Sequence, residues 1–148
     1  IIFTRQDGSR VQFPASSQVF AWCGDWEPRE DIKVPSVRVM FGTPGTAPLW
    51  YLGAVVSDVK VGQAMAFPNS FVFDQPRSAL LYLADPPNEA SSAEDDASGS
   101  VTFEELNCRP GGSVRFSINA VLGSEFFEGP RVTVQGSFRA PIGLPPNF

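Results

Sequence analysis

Apolar and polar residues alternate with a period of two over much of the chain, and no stretch sustains the 3.6-residue period of a helix. The pattern is cleanest in the last third. Val101 and Phe103, then Val114, Phe116, Ile118 and Ala120, then Val132, Val134 and Phe138 alternate with polar or charged neighbours. They predict three successive half-buried strands. Pro110-Gly-Gly112 and the stretch from Gly123 to Pro130 supply the connections.

The first two-thirds carries the same signal less evenly. Phe3 to Phe13 reads as a hairpin, with Asp7-Gly8 as its turn. Gln18 to Cys23 is a short strand, followed by a charged loop from Asp25 to Asp31. Val37, Val39 and Phe41 alternate with Ser36, Arg38 and Met40, and Gly42-Thr-Pro-Gly45 ends that strand. Leu49 to Val56 is almost wholly apolar, which predicts a central strand covered on both faces. Val59 to Phe67, Phe71-Val-Phe73 and Ala79 to Leu83 continue the extended pattern. Residues 85–99, rich in proline, serine and acid, predict a mobile acidic surface loop. Short strands at such spacing predict an all-β fold: one antiparallel β-sandwich domain of about eight to ten strands over residues 1–148, with a barrel as second choice.

The 148 residues suffice for one domain with a true core. Two cysteines, Cys23 and Cys108, each end an apparent strand, and so distant a pair in a small acidic chain reads as one structural disulfide. Closing that loop restricts the unfolded chain by about 4–5 kcal/mol on the loop-entropy account. Trp22, beside Cys23, is expected to pack against it in the core. No apolar run is long enough for a membrane-spanning helix. Ile1 enters a strand pattern at once, which predicts an upstream segment either cleaved from the precursor or left out of this sequence. Arginine in excess of lysine, with 14 prolines and 13 glycines, points to a high-GC bacterial coding sequence.

The stretch from Gly99-Ser-Val-Thr-Phe103 to Val132-Thr-Val-Gln-Gly-Ser-Phe138 resembles the closing strands of all-β domains in bacterial cell-envelope lipoproteins of unknown function. The likeness covers about a third of the chain. It implies an exported envelope protein and carries over no catalytic residue.

Charge and chemistry narrow the function. There is no histidine, which excludes Ser-His-Asp and Cys-His nucleophile systems and His-ligated metals. Net charge is −5, and Glu89, Glu94, Asp95 and Asp96 account for −4 of it. That balance argues against a nucleic-acid partner, whose phosphates are met by clustered Lys and Arg. Carboxylates are the remaining acid–base groups, and Glu104-Glu105 and Asp95-Asp96 are adjacent pairs. Adjacent strand residues face opposite ways, so Glu104 and Glu105 are expected to diverge.

No cofactor is required. Calcium is the one metal the residues would suit, held by Asp85, Asn88, Glu89, Glu94, Asp95 and Asp96, or by Asp25, Glu27, Glu30 and Asp31. Neither set has the spacing of a defined calcium loop, and a solvating surface is the simpler reading. Trp26, Trp50 and Tyr51 are the candidate aromatic platforms for a ligand, Trp26 foremost because it sits among charges. The expectation is a non-enzymatic, extracytoplasmic bacterial domain, secreted or envelope-anchored, that binds a protein or glycan partner. A structural component of a surface assembly and a glycoside hydrolase using carboxylates alone are the alternatives.

Overall fold

In the computed structural model, which describes residues 1–68, 79–124 and 129–146, the alternating segments become ten antiparallel strands. They are β1 (Ile2–Arg5), β2 (Gln18–Arg29), β3 (Ile32–Thr43), β4 (Thr46–Val55), β5 (Ala64–Ala66), β6 (Ala79–Asp85), β7 (Asn88–Ser91), β8 (Ser98–Leu106), β9 (Ser113–Ser124) and β10 (Val132–Pro141). The only helical element among the described residues is a single 3-10 turn, Val56–Asp58. The fold is all-β. The strand expected at Phe71-Val-Phe73 lies outside the described residues.

Strands β2-β3-β4-β6-β7 form one layer and β1-β10-β9-β8-β5 the other. The layers are continuous along β9. One edge of β9 carries β8 from Val114 to Val121 and then β7 at Gly123 and Ser124. Gly123 permits this corner, because a side chain there would collide with Glu94 and Asp96 in the turn between β7 and β8. At the opposite rim the curl almost closes. Gly143 N donates to Ala21 O at 2.8 Å, and the Cys23–Cys108 disulfide ties β2 to the turn after β8, with Cα atoms 5.7 Å apart.

Inward positions of the two layers meet in one core, centred on Trp50 of β4. Its ring lies 5.2 Å from Phe138, 6.1 Å from Phe41, 6.2 Å from Phe116 and 6.4 Å from Phe3. The pairs with Phe138 and Phe116 are edge-to-face, that with Phe3 is tilted and that with Phe41 stacked, and such pairs each add about 0.5–1.5 kcal/mol beyond their buried area. The N-terminal hairpin is held by Gly8 at φ 91° and by Asp7, whose carboxylate accepts from Ser9 N and Oγ. Only Thr4 and Arg10 pair across it, so its second arm is not a strand.

Three expectations are corrected. The charged loop at Asp25 to Asp31 is mostly strand: β2 runs on to Arg29 and turns directly into β3, with a register shift between Trp26 and Arg29. Charge marked the segment as loop, but these residues occupy the edge of a sheet, where charged side chains remain solvated. Trp22 is buried, 8% exposed, but stands outside the core cluster that Cys23 packs against. It pairs in register with Arg38 on the outward face while Cys23 points inward, as neighbouring strand residues must.

The acidic stretch 85–99 contains β7 and a tight turn. Ala90, Ser91, Ser92 and Ala97 are buried in it. Two serines take over backbone work: Ser92 Oγ accepts from Leu81 N at 2.8 Å and Ser91 Oγ from Ala93 N at 3.0 Å. Small residues among the acids face inward, a feature that composition hides.

Candidate functional site

Outward-facing residues of the first layer line up in rows set by strand register. Trp22, Arg38, Gly53 and Leu80 form one row across β2, β3, β4 and β6. Phe20, Met40, Tyr51 and Tyr82 form the next. Gly53 therefore leaves a gap between Arg38 and Leu80. The Tyr51 phenol leans into it along the strand, so that a Cβ on Gly53 would lie 2.9 Å from Oη and 3.2 Å from Cε1. The result is a hollow of about 220 Å³, with Trp26 on its rim and Val55 and Leu80 on its apolar wall.

Arg38 supplies the charge. Its Nε donates to Ser36 Oγ at 3.2 Å and Nη2 to the carbonyl oxygen of Asp25 at 3.3 Å, while Ser36 Oγ donates to Gly24 O at 2.9 Å. These partners are neutral and hold the guanidinium against the hollow without cancelling its charge. Four other arginines meet acids, Arg5 with Asp85, Arg115 with Glu104, Arg131 with Asp96 and Arg139 with Glu105, while Arg10 and Arg109 share with Arg38 the lack of a carboxylate partner among the described residues. Burial pushes the Tyr51 hydroxyl above its ordinary value, against a weaker opposite pull from Arg38. The phenol stays neutral and can donate a hydrogen bond well into the alkaline range.

Of the three expected aromatic platforms, Trp26 and Tyr51 converge on this hollow. Trp50 does not. It is 1% exposed in the core, since one step along β4 reverses the side chain.

The expected calcium ligands are not gathered: among the described residues no three acidic side chains form a metal-holding group. Asp85 is drawn inward to Arg5, with Nε to Oδ2 at 2.8 Å and Nη2 to Oδ1 at 3.0 Å. Asp96 faces Arg131 at 3.1 Å instead. In the second set, Glu27 lies 3.8 Å from Lys33.

The expectation that Glu104 and Glu105 diverge is corrected as well. A bulge between Phe103 and Glu105 makes Glu104 an extra residue, which sends both carboxylates to the outer side. There each meets a guanidinium, Arg115 at 3.2 Å and Arg139 at 3.8 Å, and Ser113 Oγ donates to Glu105. A second, open hollow of about 430 Å³ lies nearby, over Gly111, Ser113 and Arg139. It offers no aromatic surface, and its cation is already matched by Glu105.

No known protein family, curated protein or solved structure matches the chain. The site is therefore read from its own chemistry: two aromatic rings, one uncompensated cation and a floor opened by glycine. Sequence reasoning missed Arg38 and Gly53. Arg38 was visible as an outward polar position in β3, but only the pairing of β3 with β4 sets it opposite Gly53.

Proposed function

We propose that this protein is a non-enzymatic binding domain of the bacterial cell envelope or exterior, and that it engages a protein or glycan partner through the Trp26–Tyr51–Arg38 hollow. The observation that carries this reading is the convergence of Trp26 and Tyr51, distant in sequence, on one concave outward surface. Small-molecule and glycan sites combine such apolar and aromatic walls with a few placed polar groups. An extracytoplasmic setting is supported by the Cys23–Cys108 disulfide, a bond that persists mainly in oxidising compartments. Among the described residues no helix is long and apolar enough to cross a membrane. The likeness of the last third to envelope lipoprotein domains points the same way. The non-enzymatic part rests on the lack of histidine and on the arginine pairing of the two adjacent glutamates.

The test is binding to an array of bacterial envelope glycans, alongside crosslinking to purified envelope proteins. Wild type should bind a member of one set. A Trp26→Ser/Tyr51→Ser double variant with an unchanged melting temperature should lose that binding. Full binding by the double variant would place the site elsewhere and overturn the reading.

A further inference from the structure

We infer that the hollow takes a single pyranose ring bearing a carboxylate, a uronic-acid unit of a glycan. This rests on the binding reading above and names its ligand.

Size comes first. At about 220 Å³ the hollow is smaller than the roughly 300–1,000 Å³ of sites that enclose drug-sized molecules. It accommodates one ring-sized group, not a folded peptide or several sugars. Its walls then select the type of ring. The negative π face of an aromatic side chain attracts weakly positive C–H bonds, and one face of a pyranose presents several of these together. Tyr51 lying over Gly53, with Trp26 at the rim, gives such surfaces beside the apolar wall of Leu80. The Tyr51 hydroxyl, neutral at physiological pH as any phenol is, is a donor for a ring hydroxyl.

Charge selects the substituent. In a chain of net charge −5, Arg38 is held at the hollow by Ser36 Oγ and the Asp25 carbonyl, both neutral. Arg38 is not within salt-bridge distance of any carboxylate among the described residues, and unlike Arg10 and Arg109, which also lack an acid partner, it lines the hollow. A planar guanidinium presents a fork that suits a carboxylate, and a carboxylate on C6 projects from the rim of the ring that stacks. Neutral sugars would leave that cation without a partner. The same groups would repel a cationic ligand.

The experiment uses two probes that differ only at C6, methyl β-glucuronide and methyl β-glucoside, with acetate as a ring-free anion. Titrations are followed by amide and indole NMR signals of the intact chain. The glucuronide should shift signals of Trp26, Tyr51 and Gly53, and bind about tenfold more tightly than the glucoside. The preference should fall in Arg38→Gln and weaken as salt is raised. Arg38→Lys, which keeps the charge without the planar fork, should retain part of it and guards against misfolding of the first variant.

Equal binding of glucuronide and glucoside would overturn the acidic-sugar inference and leave the glycan-binding reading standing. Acetate binding as tightly as the glucuronide would overturn the role of the ring. If neither sugar moves a signal from the hollow, the inference fails outright, and the envelope-protein crosslinking arm decides the broader reading on its own.

Discussion

Replacing Arg5 by Met should destabilise the protein considerably more than replacing its partner Asp85 by Ala. Arg5 at the end of β1 reaches across to Asp85 at the end of β6, and its fork meets both carboxylate oxygens. The two members are unequally buried: the Asp85 side chain is 10% exposed and that of Arg5 36%. Removing Arg5 strands a nearly buried negative charge. Breaking fully buried pairs in this way costs about 3–5 kcal/mol. Water already reaches the guanidinium here, so about 2–3 kcal/mol is expected, including the weaker contacts of Arg5 with Ser9 Oγ and Arg10 O.

Removing Asp85 instead leaves a cation that can swing into solvent, at about 1 kcal/mol. At roughly 2–4 °C per kcal/mol for a chain of this size, the melting temperature should fall by about 5–10 °C for Arg5→Met and about 2–4 °C for Asp85→Ala. Adding Asp85→Asn to Arg5→Met removes the stranded charge and should recover about 1 kcal/mol. Urea or thermal unfolding of the four proteins measures all of this. An Asp85→Ala deficit as large as that of Arg5→Met would refute the argument from unequal burial.

Reduction of Cys23–Cys108, or Cys23→Ser with Cys108→Ser, should lower stability by up to about 4–5 kcal/mol, read by denaturant unfolding with and without reductant. Asp7 is held below its ordinary carboxyl value by hydrogen bonds from Ser9. Its contribution is therefore present above the unfolded value and lost as pH falls through the lower folded one, so the stability difference between wild type and Asp7→Ala should vanish in acid. The Tyr51 phenol is pushed the other way by burial. Folding then favours its protonated form, and stability should drop as pH rises past the unfolded value near 10; Tyr51→Phe should lessen that alkaline loss in thermal melts across pH.

Strand positions were readable where one face is buried and the other wet. In β9 and β10 the alternation of Val, Phe and Ile with polar residues translates directly into inward and outward faces. The run from Leu49 to Val56 has no such contrast, so nothing in it distinguished inward Trp50 from outward Tyr51. Nearly uniform in polarity, such a run gives a strand's location but not its phase. Charge misled at Asp25 to Asp31 and at 85–99, where sheet edges and corners use acids at the rim and small residues inside. For the candidate site, Trp26 and Tyr51 were legible as aromatic residues. Their convergence, and the addition of Arg38 and Gly53, depend on the pairing of strands far apart in the chain.

The pairing of β1 with β10 sets a schedule for the chain. Ile2 to Arg5 lie against Gln135 to Val132 and have no other complete ladder to join. During synthesis at about 5–20 residues per second, the first strand must wait on the order of ten seconds for the last to emerge from the ribosome. Phe3, 1% exposed in the finished fold, cannot take up that setting before then. Folding of this domain therefore completes only after translation has passed β10, which leaves a window in which the nascent chain is open to chaperones.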